Sequence, residues 1–367
     1  MFESIAVAGV RGLQPYRPGK PIDAVARELG LNEADIVKLA SNENPLGPGD
    51  AVRAALSGAA DELSRYPDGG GYALKETLAE HLSVATEQIT LGNGSSDILD
   101  FIIRVLVNND DEVVVSQHAF AIYGLLTVIA GGRVIEVPAQ NFGHDLSAMA
   151  AAITDKTRIV FVTNPNNPTG TWNTSDELEA FLAQVPESVV VLLDEAYFEY
   201  VEEADYPNGI GLLSRFPNLV VTRTFSKVYG LAALRIGYGV SSPELADLMN
   251  RVRPPFNTNA LAQAAAIAAL NDSDYLTDSV AMNKQGMAQL EAAFAQHNLE
   301  FIPSVGNFIA FKVPESADAM AVYQELQQLG VIVRPIANYG MPDYLRVSIG
   351  TETENAAFLT ALEKVLA

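Results

Sequence analysis

The chain has 367 residues, long enough for two or three packed units, and 49% are hydrophobic, which excludes a disordered chain. Its 23 lysines and arginines face 45 aspartates and glutamates, a net charge of −22 with no long basic run. Nucleic acid and anionic membrane are therefore excluded as natural partners, and any anionic ligand must be held by a few placed cations.

There is no cysteine, which removes disulfides, thiolate metal sites and cysteine nucleophiles. The four histidines (His81, His118, His144, His297) have no ligand spacing, so no structural metal is expected. The opening MFESIAVAGVRGLQPY lacks a basic segment followed by an apolar core and does not read as a signal peptide. The longest apolar window, ALAQAAAIAAL, is too short for a bilayer and alanine-rich like a buried helix. A soluble, cytoplasmic protein is expected.

Residues 1–45 hold a Pro- and Gly-rich segment and read as an arm packing on a smaller domain or a partner subunit. Over 46–255, amphipathic helical stretches (YALKETLAEHLSV, SDELEAFLAQV) alternate with β-branched runs: EVVVSQ, RVIEVPA, RIVFVTN, SVVVLLDEAY, NLVVTRTF. Runs apolar at nearly every position predict strands buried on both faces, hence an α/β domain with a mostly parallel central sheet covered by helices. From 256 to 367 the helices NALAQAAAIAALN and DYLTDSVAMNKQGMAQLEAAFAQHN lead into strands NFIAFKV, VIVRPI and YLRVSIG, with the helix ADAMAVYQELQQLG between them. This predicts a smaller α+β domain, closed by a helix whose Thr351 and Glu354 have capping-box spacing.

Open parallel sheets bind ligands outside the carboxyl ends of their strands. After ITL stands GNGSSD (Gly92–Asp97), a glycine turn opening a helix whose free amides suit an anion. Asp97 occupies the place of the third glycine of a dinucleotide fingerprint, and no Walker A pattern is present. Phe120 follows the next strand and could cover a flat ring, although packing alone would explain an aromatic there. Asn167 lies in PNNPTG after another strand, and Asp194 ends the apolar run SVVVLL. A buried carboxylate must find a cation or donors, or become neutral. For a lone aspartate a structural ion pair would be the simpler account. Here the neighbouring run TRTFSK brings Thr224, Ser226 and Lys227 to the same rim.

A desolvated lysine loses its proton more easily and can condense with a carbonyl compound. Pyridoxal phosphate asks for such a lysine and an aspartate at its ring nitrogen. It also needs an aromatic face, and hydroxyls, amides and an arginine for its phosphate; Arg235 suits the last role.

Together the segments RGLQPYRPGKP, KLASNENPLGP, RYPDGGGYALKETLA, NPNNPTG, DEAYFEY, TFSKVYGLAALRIGYG and YLRVSIG resemble the fold-type I aminotransferases, in particular their histidinol-phosphate branch. The resemblance spans essentially the whole chain. It implies a pyridoxal 5′-phosphate enzyme in which Lys227 carries the cofactor and shuttles a proton, and Asp194 pairs with the pyridine nitrogen. Tyr197 and Asn167 would bond the phenolic oxygen. Ser95, Ser96, Thr224, Ser226 and Arg235 would hold the phosphate. Phe120 stands where the family often has tyrosine, so stacking should persist without a hydroxyl. Tyr66 would reach the cofactor phosphate of a neighbouring subunit, making a homodimer with shared sites. Arg346 would clamp the L-glutamate carboxylate, and Arg334, with Tyr16 and Asn42, the phosphate of histidinol phosphate. The implied reaction is transamination between these two substrates in histidine biosynthesis. Alternatives are an aromatic amino acid aminotransferase, a decarboxylase of a phosphorylated amino acid such as threonine phosphate, a non-catalytic binding protein on the same fold and, more remotely, a dehydrogenase.

Overall fold

The computed structural model describes residues 2–15 and 19–367. Strands follow in chain order: β1 Val37–Lys38, β2 Ile89–Gly92, β3 Glu112–Ser116, β4 Arg133–Val137, β5 Thr157–Thr163, β6 Val190–Asp194, β7 Leu219–Thr224 and β8 Gly237–Ser241. Then come β9 Phe301–Ile302, β10 Phe308–Lys312, β11 Val331–Ile332, β12 Arg334–Pro335 and β13 Tyr344–Ser348. The large sheet has the order β2-β8-β7-β6-β5-β3-β4. Its β3–β7 pairs are parallel, while β8 runs antiparallel to β2 and β7. This is the α/β fold with a mostly parallel sheet.

The period-2 alternation of side chains explains why the central runs are apolar throughout. On β5, β6 and β7, Val160, Val162, Val191, Leu193, Leu219 and Val221 build one core cluster. Ile159, Phe161, Val190, Leu192 and Val220 build another, with the helix Ser95–Leu106 contributing Ile98, Phe101 and Ile102. The run RVIEVPA departs from the expectation of burial on both faces. As β4 it is the sheet edge, and Arg133 and Glu136 are exposed, which keeps that edge polar.

A second sheet, β12-β13-β10-β9, is antiparallel and forms its own core with Phe294, Phe311 and Phe358. The run VIVRPI, expected as one strand, is two. Val331 and Ile332 pair in parallel with β1, whereas Arg334 and Pro335 pair with β13. The helix Ile22–Leu29 packs Val25 and Ala26 against Ile36, Ala40 and Ile332, so this part of the arm lies on the two-stranded β1–β11 pair.

The alanine-rich helix Ala260–Leu270 follows the change of character at residue 255, yet Ala262, Ala265, Ala266 and Ala269 lie in the core of the large sheet. Alanines let it approach the helices Asp50–Ala59 and Tyr72–Leu82 closely. The long helix Ser273–Gln296 then carries the chain to the small sheet, burying Leu290 and Phe294 there. Among the described residues no helix is long and apolar enough to cross a membrane.

Candidate active site

A cavity of about 430 Å³ opens at the carboxyl ends of β5, β6 and β7, where the large sheet meets the small one. Ser95, Ser96, Phe120, Asn167, Asp194 and Tyr197 line it from the large sheet, followed by Thr224, Ser226, Lys227 and Arg235. Asn42, Arg334 and Arg346 complete the wall from the arm and the small sheet. Segments far apart in sequence thus meet as the chain order of polar strand ends suggested. Tyr66 does not line the cavity; it is 81% exposed and stacks on Phe256 at 4.6 Å. Tyr16 lies outside the described residues.

One end of the cavity is built for an anion. Gly94 precedes the helix Ser95–Leu106 with φ 81° and offers no side chain to the first-turn amides. A β-carbon on Gly94 would sit 2.5 Å from Arg235 Nη2, so only glycine lets the guanidinium approach the turn. Arg235 itself adopts φ 56° and donates Nη1 to the Ala232 carbonyl at 3.0 Å. Thr224 Oγ1 donates to Ser226 Oγ at 3.0 Å and accepts from the Ser226 amide at 3.1 Å. Helix amides, two hydroxyls and a guanidinium therefore converge, the donor set of a phosphate site.

Lys227 stands between this end and the arginines. Its Nζ donates to the Ser41 carbonyl at 3.2 Å and lies 5.6 Å from the Tyr197 ring centroid. Burial, then the Arg346 and Arg235 guanidiniums, bring its pKa down to about 8, against the pull of Glu43 and Asp194. Such an amine can act as a base or nucleophile near neutral pH.

Asp194 is 5% exposed. Burial raises its pKa, and donors oppose this: Tyr123 at 2.8 Å to Oδ2, Thr222 at 3.1 Å to Oδ1, and the Ala196 amide. Among the described residues, the ion pair that would explain a lone aspartate does not form. Asp194 bonds hydroxyls, while the basic residue of its neighbouring strand, Arg223, pairs with Glu195 at 2.8 Å in the opposite core layer. Tyr197, its pKa pushed up to about 12 chiefly by burial, accepts from Asn42 Nδ2 at 2.9 Å. Asn42 is locked at φ 53° by its amide to Ser348 Oγ (2.8 Å) and by Asn307 Nδ2 to its carbonyl (3.0 Å).

Arg334 and Arg346 are direct partners across β12 and β13. Two like charges opposed on one sheet face repel, a cost that an anion between them removes. Arg346 is 6% exposed, donates to the Ala40 carbonyl at 2.8 Å and to Asn167 Oδ1, and lies over Phe308 at 5.3 Å.

Several residues of this site were not singled out from sequence. Tyr123 and Thr222 read as core and strand residues, and only their bonds to Asp194 set them apart. Glu43 lines the cavity next to Asn42, its carboxylate held by Lys38 Nζ at 2.8 Å. Its neighbour Asn44 supplies a structural bond to the Val228 carbonyl instead, so the segment SNENP carried the signal without separating the roles.

The family profile described as aminotransferase class I and II matches residues 34–362. Histidinol-phosphate aminotransferase 1 of Nitrosococcus oceani is 57% identical over 366 residues, covering 100% of this chain and 98% of the relative. Histidinol-phosphate aminotransferase 2 of Pseudomonas aeruginosa is also 57% identical, covering 100% and 99%. Among solved structures, histidinol-phosphate aminotransferase of Sinorhizobium meliloti in complex with pyridoxal-5′-phosphate superposes with a TM-score of 0.90 at 30% identity, covering 98% of this chain and 97% of that one. The architecture is the fold-type I one. With a lysine, an aspartate and an anion cradle at one sheet rim, and likeness along its full length, the chain belongs to the class I and II aminotransferases.

Proposed function

We propose that this enzyme transfers an amino group between L-glutamate and imidazole-acetol phosphate, giving 2-oxoglutarate and L-histidinol phosphate, a step of histidine biosynthesis, with pyridoxal 5′-phosphate as cofactor. The observation that carries the reading is the opposed pair Arg334 and Arg346, set on the wall of the cavity that holds Lys227 and Asp194. One substrate ends in a second carboxylate and the other in a phosphate, and two guanidiniums can clamp either. The names of the relatives at 57% identity support the same substrates, and the Sinorhizobium complex the same cofactor. They lend nothing to an aromatic aminotransferase or a decarboxylase.

The residues fit the cofactor. Ser95, Ser96, Thr224, Ser226 and Arg235 would hold its phosphate in the cradle that a side chain on Gly94 would fill. Phe120 would cover its ring, Asp194 would face its ring nitrogen, and Tyr197 and Asn167 its phenolic oxygen. Lys227 would hold it covalently. When bound, the cofactor supplies an electron sink for the substrate's reacting carbon. Lys227 Nζ, with its lowered proton affinity, takes and returns the proton of that carbon. Arg346 orients the amino-acid carboxylate, and Arg334 with Asn42, and Tyr16 beyond the described residues, the phosphate ester. Remote binding of that phosphate orients the reacting end.

The large sheet thus carries the cofactor and the small sheet the substrate anions, which supports a division into arm, large domain and small domain. Tyr66, exposed in the single chain, would serve the cofactor phosphate of a second copy, and its exposure supports reading the working unit as a homodimer with shared sites. A biosynthetic enzyme of this kind belongs in the cytoplasm.

The test is a half-reaction, following cofactor absorbance on mixing the loaded enzyme with L-histidinol phosphate or L-phenylalanine. The expected result is faster conversion by histidinol phosphate, a preference that Arg334→Gln cuts about 10- to 100-fold. Equal or faster conversion by phenylalanine would overturn the assignment.

A further inference from the structure

Asp194 belongs to a row of polar side chains on an otherwise hydrocarbon face. Register pairs Thr163 with Asp194 and Asp194 with Thr222 across β5, β6 and β7. Strand alternation puts all three on the side where Phe161, Leu192 and Val220 build the core. A carboxylate here depends on its donors. The shorter of its two hydroxyl bonds comes from outside the sheet, from Tyr123 on the helix Ile122–Ile129.

Tyr123 is completely buried. Its hydroxyl donates to Asp194 Oδ2 at 2.8 Å and lies 2.8 Å from Thr163 Oγ1. A phenol has one proton, so with that proton on Asp194 the threonine must be the donor in the second bond. The protons of Thr163 and Tyr123 then all point toward the carboxylate, and each bond polarises the next. The ring is fixed on two sides, stacked on Phe161 (4.4 Å, 7°) and edge-on to Phe120 (5.8 Å, 87°). Phe120 lines the cavity. One side chain therefore touches both the carboxylate and the aromatic face.

We propose that Tyr123 is a positioning residue for the transamination, its hydroxyl holding Asp194 as an aimed carboxylate toward the cofactor ring nitrogen while its ring seats Phe120. The proposal rests on the functional reading above, since it presumes that cofactor. Burial and the Asp194 charge hold the phenol's own pKa well above its ordinary value, so Tyr123 stays a donor wherever the enzyme works. Without it, Asp194 keeps only weaker donors and competes for the proton that the ring nitrogen should carry.

Tyr123→Phe retains both ring contacts and removes the hydroxyl. The holoenzyme is reconstituted with cofactor carrying 15N at the ring nitrogen, and the nitrogen chemical shift and the pH profile of the half-reaction are recorded. The wild-type signal should be that of a protonated ring. In the variant it should move toward the neutral form, with kcat lower by about 10- to 100-fold and KM for histidinol phosphate little changed. Thr163→Val, which removes only the bond to Tyr123, should shift the signal the same way by less, and it decides the matter if Tyr123→Phe does not fold. An unchanged nitrogen signal and pH profile in a folded variant would overturn the proposal, marking Tyr123 as packing. Failure of the wild-type protein to take up the cofactor would overturn the functional reading itself, and this role with it.

Discussion

The chemistry of Lys227 is set by what surrounds it. Its lowered pKa has two leading causes, burial and Arg346, and they are separable. In the cofactor-free protein, labelling by trinitrobenzenesulfonate with mass analysis of the Lys227 peptide should show a midpoint near pH 8. Arg346→Gln should move it upward, because a neighbouring cation is lost; an unmoved midpoint would remove Arg346 from the causes and leave burial and the Arg235 guanidinium. A second buried group acts on stability. Glu199 is pushed up to about 7 by burial, with the Arg223 guanidinium opposing and Glu195 adding to the rise, and its Oε2 has no hydrogen-bond partner among the described residues. The native state then holds a proton that the unfolded chain releases near 4.5. The associated stability is complete below that pH and is lost as pH rises through about 7. Glu199→Gln should therefore match wild type at acid pH and exceed it at pH 8 by at most roughly 3 kcal/mol in urea unfolding. Lys227 and Asp194 were visible in the sequence because a charge stood among apolar residues. Tyr123 was hidden, because a tyrosine in IYGLLTVI looks like any amphipathic core residue until its hydroxyl is placed.

Elements whose signals are local could be read directly. Thr351 accepts from the Glu354 amide and Glu354 returns to the Thr351 amide at 2.8 Å, the box expected from their spacing. Thr351→Ala should cost roughly 1 kcal/mol in chemical denaturation. The turn before Ser95 was legible as an anion loop but not in its detail. Gly94→Ala would strain a backbone at φ 81° and collide with Arg235. It should lower stability by roughly 1–3 kcal/mol and weaken cofactor binding about tenfold or more, as read by fluorescence titration; unchanged affinity would remove the cradle from the site. Where partners decide, local reading failed. VIVRPI has one apolar pattern, but two different strands claim its halves. RVIEVPA has the residues of a buried strand and lies at an edge, since nothing local distinguishes the last strand of a sheet from the middle one.

At the scale of the whole molecule, the proposed role of Tyr66 is one that no single chain can test. If Tyr66 works across a dimer, mixing Tyr66→Ala with Lys227→Ala subunits creates hybrids with one intact site each. Random reassortment makes half of the dimers hybrid and should restore about a quarter of wild-type activity from two inactive parents. No restoration would place Tyr66 in its own subunit's chemistry or outside it. Within the chain, patterning alone indicated the α/β class, the strand ends that carry polar groups, and Lys227, Asp194 and Arg235 as candidates, while Arg334 and Arg346 were indicated by the family resemblance. The patterned features follow from two-residue and 3.6-residue periods and from charges set where burial is costly. Only the tertiary structure decided that Arg334 and Arg346 face each other, that helix Ala260–Leu270 joins the large core, and that Thr163, Tyr123 and Thr222 surround Asp194. The reason is physical: register and packing join residues tens to hundreds of positions apart, and a neutral hydroxyl or an alanine carries no sign of its partner until the backbone brings it there.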